Sequence, residues 1–137
     1  MLMEIDHVTV FVRDYDTSKP FYAEVLAPLG LVPLLDWPDK RRVYFGRPGE
    51  PSSLWLVESE LAGRIEIALP ALDAGAVHAF YNTAIAVGAK ADWEPGVRPE
   101  YNHDYYAARV LDFDRNSLEA VFRGEATATA LRPPAAA

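Results

Sequence analysis

The chain has 137 residues, half of them apolar and 24% charged, with 13 basic and 20 acidic side chains and a formal charge of −7; this is ordinary globular composition, with length enough for one hydrophobic core. The one dense basic run is Lys40-Arg41-Arg42, so nucleic acid and anionic membrane are excluded as partners, since both call for clustered Lys and Arg. With no cysteine, disulfides, thiolate nucleophiles and thiolate metal ligands are excluded as well.

In chain order, residues 4–12 alternate as a strand, with Ile5, His7, Thr9 and Phe11 on one side and Val8, Val10 and Val12 on the other. Asp16, Thr17 or Ser18 is placed to cap a helix whose Phe21, Tyr22, Val25, Leu26 and Leu29 recur at helical spacing. Pro28 makes its last turn before Gly30 irregular. Residues 31–36, 41–46 and 53–58 read as three short strands, and Glu58 to Gly63 as a linker. A second strand–helix unit follows: 64–69 as strand, then Asp73 capping a helix with Val77, Phe80, Ala84 and Ile85 as its apolar stripe. Strands are predicted near 89–93, 105–112 and 117–123, with a polar hairpin turn from Asp112 to Ser117. Residues 126–137, rich in Ala, Thr and Pro, read as a tail that need not fold, leaving one domain over 1–125. No apolar run nears the roughly 20 residues of a membrane span, and no secretory pattern opens the chain, so a cytoplasmic protein is expected.

The chain repeats itself. Phe21-Tyr22-Ala23 echoes in Phe80-Tyr81-Asn82 at an offset of 59, which also carries the 5–10 strand onto 64–69. Ser53-Leu54-Trp55-Leu56-Val57 matches Ser117-Leu118-Glu119-Ala120-Val121 at an offset of 64. The growth in offset places a net insertion in the second copy, within Trp93 to Tyr106. The expected fold is α+β: two tandem βαβββ modules, about 3–58 and 64–123, whose sheets pair edge to edge into a half-open mixed β-barrel cup with the helices outside.

Strand parity then says which side chains line the cup. If Val8, Val10 and Val12 cover a helix, His7 faces the cup; the same argument sends Glu66 there from its apolar neighbours Ile65 and Ile67, and Glu119 from Leu118 and Ala120. A carboxylate in a strand interior is costly without a charged or hydrogen-bonding partner. Two carboxylates with a histidine are most simply explained by a divalent cation. The alternative pairs Glu66 with an arginine such as Arg42 or Arg109 and leaves His7 as a satisfied histidine.

On Ile5-Asp6-His7-Val8, Ser18-Lys19-Pro20-Phe21-Tyr22, Leu29-Gly30-Leu31, Ala79-Phe80-Tyr81, Arg98-Pro99-Glu100-Tyr101, Asp104-Tyr105-Tyr106-Ala107-Ala108 and Leu118-Glu119-Ala120-Val121, the chain resembles the vicinal oxygen chelate superfamily, the glyoxalase / bleomycin-resistance / extradiol-dioxygenase fold. The match runs over roughly residues 3–123 and is nearest a glyoxalase-like subgroup of small bacterial proteins. The resemblance implies paired βαβββ modules, a metal in the cup and a homodimer. It makes His7 the first metal ligand and Glu119 the last. Glu66 stands where the family has histidine, and Trp55 where it often has Glu or Gln, a position at which tryptophan cannot ligate. The resulting set, His7, Glu66 and Glu119, suits Mn, Fe, Ni, Co, Zn or Mg and lacks the two histidines of an oxygen-activating Fe(II) triad. The family's Asp-Pro-Asp-Gly turn reads Asp112-Phe113-Asp114-Arg115 here, which makes Asn116 the residue suited to a positive φ.

The function this implies is a metal-dependent isomerase or lyase acting on a small carbonyl substrate through an enediolate-type intermediate. Glu66 and Glu119 are the candidate catalytic carboxylates. Trp55, Trp93, Tyr101, His103, Tyr105, Tyr106 and Arg42 are the candidate substrate contacts. The alternative is a non-catalytic small-molecule or drug-binding protein with an aromatic-lined cleft; an extradiol-type dioxygenase ranks third.

Overall fold

The computed structural model describes residues 5–51 and 53–124. The predicted tail over 126–137 lies outside them. The elements run β1 (His7–Val12), α1 (Tyr15–Leu26), β2 (Val32–Trp37), β3 (Arg42–Gly46), β4 (Ser53–Glu58), then β5 (Glu66–Pro70), α2 (Ala74–Ala86), β6 (Lys90–Val97), β7 (Tyr106–Leu111) and β8 (Ser117–Phe122). This is the predicted α+β pair of βαβββ modules. The first forms a sheet in the order β1-β4-β3-β2 and the second one in the order β5-β8-β7-β6. In each, the first strand runs parallel to the last and the remaining pairings are antiparallel.

The repeat is visible in the register. His7 pairs with Ser53 and Thr9 with Trp55, while Glu66 pairs with Ser117 and Ala68 with Glu119. His7 and Glu66 are therefore equivalent positions, as are Trp55 and Glu119.

Helix α1 starts earlier than predicted. Asp14, not Asp16, Thr17 or Ser18, is its cap, accepting from the backbone N–H groups of Asp16 and Thr17. After α1 the chain tightens into a 3₁₀ turn over Ala27–Leu29, where Pro28 sits at the start, and ends on Gly30 at φ 79°. That left-handed conformation suits glycine, which carries no Cβ. Asp73 caps α2 as predicted, through Ala76. In the β7–β8 turn it is Arg115, at φ 67°, that takes the positive dihedral. Asn116 is instead fully buried, with its side chain accepting from the Ile65 N–H and donating to the Phe11 carbonyl and to Asp112. Its side chain is committed to those three partners.

Each helix covers its own sheet, and the two helices also pack on each other. Val10, Val12, Leu54 and Leu56 of the first sheet share one core with Val77, Phe80, Ala108, Val110, Leu118 and Ala120 of the second unit. The hairpin after β7 reaches across the junction. Phe113 packs on Phe21 at 4.6 Å between ring centroids, and the Tyr22 hydroxyl donates to buried Asp112 at 2.5 Å. The modules are thus joined through helices and hairpin rather than by the edge-to-edge strand pairing expected from sequence. Strands β1 and β5 both remain sheet edges among the described residues. A groove of about 1020 Å³ runs past them, lined by residues of both edges and of the core side, among them Val8, Thr9, Leu54, Glu66, Ile67 and Leu69; the two sheets are not closed into a barrel. No helix among the described residues is long and apolar enough to cross a membrane.

Candidate functional site

Because Leu118 and Ala120 fill the core, Glu119 must project from the opposite, concave face of the second sheet. It is only 3% exposed. Register then fixes its company: Ala68, Glu119, Arg109 and Trp93 stand side by side across β5, β8, β7 and β6. Strand β6 departs from regular pairing here. Ala91 opposes Val110 and Trp93 opposes the next residue, Arg109, so Asp92 is an extra residue in a bulge. The bulge lets both Asp92 and Trp93 reach the same guanidinium.

Arg109 is the centre of this face. Its Nε donates to Asp92 at 2.8 Å and its Nη1 to Glu66 at 3.2 Å, with Glu119 Oε1 at 3.9 Å, and its guanidinium carbon lies 3.7 Å from the Trp93 ring centroid. The other Glu119 oxygen accepts from the Tyr105 hydroxyl. Tyr105, Ala107 and Val121 form a small cluster of their own, with Tyr101 against it and Trp93 beyond at 6.2 Å from Tyr101. Burial pushes the Glu119 carboxyl above its ordinary pKa, and the nearby Glu66 charge adds to this; the Tyr105 hydroxyl, Arg109 and Arg98 pull the other way without cancelling it. Burial likewise raises Tyr105, together with its bond to Glu119. The face is a carboxyl group in an aromatic enclosure, beside a cation held by two other acids.

The three residues expected to bind a metal are not brought together in one chain. Glu66 and Glu119 share Arg109, which answers the demand for a positive partner that their positions raised. His7 is half exposed on β1 of the first sheet, with Nδ1 2.8 Å from Asp6. Among the described residues no group of three or more His, Asp or Glu side chains could hold a metal ion. An ion at the two glutamates would have to displace a guanidinium from both and find a third donor elsewhere, so the residues of a single chain do not fit one.

The candidate substrate contacts divide. Trp93, Tyr101 and Tyr105 gather around Glu119. Tyr106, one position on, has the opposite parity: it packs on the core and bonds His78 of α2 at 2.6 Å. His103 is exposed in the β6–β7 loop, where its backbone N–H donates to Asn102. Trp55 and Arg42 belong to the first sheet, on the concave side opposite Leu54, Leu56 and Val43. Asp92, Arg98 and Arg109 join the site without being among the predicted contacts. Arg109 carries a signal in sequence, being the one charged residue in the strand Tyr106–Leu111, but that signal points only to a counterion for Glu66 and not to the centre of the face.

Comparison with known proteins shows the family to which this fold belongs. The family model described as Glyoxalase/Bleomycin resistance protein/Dioxygenase superfamily matches residues 4–120. A glyoxalase/bleomycin resistance protein from Albidiferax ferrireducens T118 superposes with a TM-score of 0.77 at 27% identity, covering 87% of this chain and 98% of that one. A lactoylglutathione lyase from Agrobacterium tumefaciens gives 0.64 at 19% identity over 87% and 92% of the two chains. A single-residue mutant of the fosfomycin resistance protein FosX from Listeria monocytogenes, complexed with Mn(II) and 1S,2S-dihydroxypropylphosphonic acid, gives 0.65 at 18% over 88% and 90%. The last two are likenesses of fold. A search of the curated proteins found no match. The chain belongs to the glyoxalase/bleomycin resistance protein/dioxygenase superfamily.

Proposed function

We propose that this superfamily member binds a small carbonyl compound on the concave face of its second sheet and moves a proton on it, as an isomerase or lyase of the glyoxalase type. The observation that supports this is Glu119: a buried carboxyl with a raised pKa, held by Tyr105 and standing beside Arg109 on the concave face. A raised pKa makes the ionised carboxylate a stronger base than an ordinary one, the direction that proton-transfer catalysis calls for. Ionised Glu119 takes the proton from the carbon next to the carbonyl, and that C–H electron pair moves into the new carbon–carbon double bond. The carbonyl π pair moves onto oxygen, where the Arg109 guanidinium holds the charge. Glu119, now a carboxylic acid, returns the proton to the former carbonyl carbon; on a substrate whose α-carbon bears a hydroxyl, that hydroxyl's proton passes to the enolate oxygen as its own C–O bond becomes the new carbonyl, which completes the isomerisation. Arg109 keeps its bonds to Asp92 and Glu66 throughout, so neutralising Glu119 does not leave it unpaired.

The test needs no knowledge of the natural substrate. The chain is incubated in D₂O with α-hydroxy ketones, 2-oxo acids and hemithioacetals of 2-oxoaldehydes, and loss of the α-proton signal is followed by NMR. Exchange into at least one class, reduced about 100-fold or more by Glu119→Gln, is the expected outcome. Exchange that Glu119→Gln leaves intact removes Glu119 from the chemistry.

Metal dependence and dimerisation form a separate part of the proposal. His7 lies on the edge strand β1, so a second copy docking that edge against β5 would supply the third donor; with the Arg109 guanidinium displaced, His7, Glu66 and Glu119 would hold Mn, Fe, Ni, Co, Zn or Mg, and Glu119 would then be a ligand instead of the base. About one such ion per chain, retained through purification and lost in His7→Ala, is the result that supports this arrangement. The second reading, ligand binding without turnover, is favoured by the aromatic concave face of the first sheet. It predicts that no compound exchanges its α-proton while ligands still bind.

A further inference from the structure

The repeat gives the first sheet a concave face equivalent to that of Glu119, and its chemistry is different. Where the second sheet has Ala68, Glu119, Arg109 and Trp93 in a row, the first has Thr9, Trp55, Tyr44 and Leu35. The neighbouring row carries Phe11, Val57, Arg42 and Trp37. Trp55 lies 5.0 Å from the Tyr44 ring, edge to face, and 5.7 Å from Trp37, which is 40% exposed. Neither row contains an acidic residue. The acids of these strands, Asp36 and Glu58, turn the other way, to Tyr15 and Lys19 and to Arg41.

Two cations stand on this face instead. Lys40 Nζ is 5.2 Å from the Trp37 ring centroid, and the Arg42 guanidinium is 5.9 Å from that of Trp55. Arg42 Nε is buried with no hydrogen-bond partner among the described residues. A buried charged donor without an acceptor is costly, whereas Arg109, its counterpart in role on the other sheet, has its acids in place. The first sheet supplies donor and rings and lacks only the acceptor.

We infer that the concave face of the first sheet is a binding face for a planar ring bearing a carboxylate, with the ring on Trp37 and Trp55 and the carboxylate accepting from Arg42. The rings supply stacking area that tolerates different ring systems. The guanidinium supplies a charge-assisted bond whose geometry matches a carboxylate. A cationic ring finds no acid here and meets two like charges, which sets the selectivity.

The experiment is calorimetric titration of the full chain with 2-naphthoate, its uncharged analogue 2-naphthalenemethanol and the cationic 2-naphthylmethylamine. Naphthoate is expected to bind on the order of 10-fold or more tighter than the alcohol, as one charge-assisted hydrogen bond requires, and the amine most weakly. Arg42→Gln should erase the difference between acid and alcohol, Arg42→Lys should restore part of it, and Trp55→Ala should weaken both ligands. Naphthoate should bind Glu119→Gln as tightly as the parent, so failure of the proton-transfer reading would leave this one standing. Equal affinity for acid and alcohol, or an Arg42→Gln variant that still prefers the acid, overturns the inference. So does absence of naphthoate binding together with a doubled solution mass that Trp37→Ala halves, which assigns the face to a second copy of the chain.

Discussion

Removing one hydroxyl, in Tyr105→Phe, separates a proton-transfer role for Glu119 from a merely structural one. The ring is 6% exposed, packed 5.0 Å from Tyr101 and lying under the Arg123 guanidinium at 5.2 Å. Phenylalanine keeps those contacts and loses only the O–H that donates to Glu119. That bond favours the ionised carboxylate, so its loss moves the Glu119 pKa further in the direction burial already sets, upward. A hydrogen bond to a charged group contributes about 1.5–3 kcal/mol, equivalent to roughly a 10- to 100-fold change in the ratio of ionised to protonated carboxyl. Below the midpoint of the pH profile the α-proton exchange rate follows that ratio, so it should fall by the same factor. Above the midpoint both proteins are ionised and the rates should converge. The assay is the deuterium exchange rate of one responsive substrate, measured across pH for parent and variant. A deficit of the same size at every pH would mean that Tyr105 positions the ligand rather than tuning Glu119, and an unchanged profile would refute the coupling altogether.

Two further predictions concern stability. Because the folded chain holds Glu119 above its ordinary pKa, the folded state binds that proton more tightly than the unfolded one. Its contribution is fully present below the ordinary carboxylate pKa and is lost as pH rises through the raised value. Glu119→Gln, which cannot ionise, should therefore gain stability relative to the parent between about pH 4 and about pH 8; urea midpoints at the two pH values measure this, and a relative loss with rising pH contradicts it. Tyr22→Phe removes the bond between α1 and the buried Asp112 of the opposite module. The expected cost is about 1.5–3 kcal/mol, which lowers Tm by roughly 5–12 °C for a chain of this size. A fall of less than about 2 °C in a thermal melt would show that the Asn116 amide and the backbone N–H groups of Asp114 and Asn116 satisfy Asp112 without Tyr22.

Period-two alternation is enough to place Glu66 and Glu119 on the concave face, because each stands between residues that must be buried. The offset of 59 is enough to make His7 and Glu66 equivalent, because both open a parallel pairing with the last strand of their own module. What surrounds Glu119 is not legible in the same way. Arg109 meets both glutamates through cross-strand register, and Asp92 reaches it only because one residue bulges out of β6; local patterning holds no record of either. Tyr105 and Tyr106 read alike as candidate contacts, although adjacent residues of a strand face opposite ways, and only Tyr105 reaches the carboxylate. The junction between modules is hidden for a related reason. An apolar helix stripe says that a face is buried without saying against what, and here both helices bury theirs partly against each other.

The same register makes the difference between the two faces interpretable. With Trp55 and Glu119 at equivalent positions, and Tyr44 equivalent to Arg109, the two copies of one unit have exchanged aromatic for ionic side chains at the centre of the concave surface. A charged face must carry its own counterions to be stable, and the second does, in Arg109 with Asp92 and Glu66. An aromatic face has no such demand, and Arg42, whose guanidinium lies over Trp55, keeps a buried Nε with no hydrogen-bond partner among the described residues. A buried donor kept without an acceptor, on a surface otherwise free of acids, is intelligible as one half of a contact whose other half arrives with a ligand.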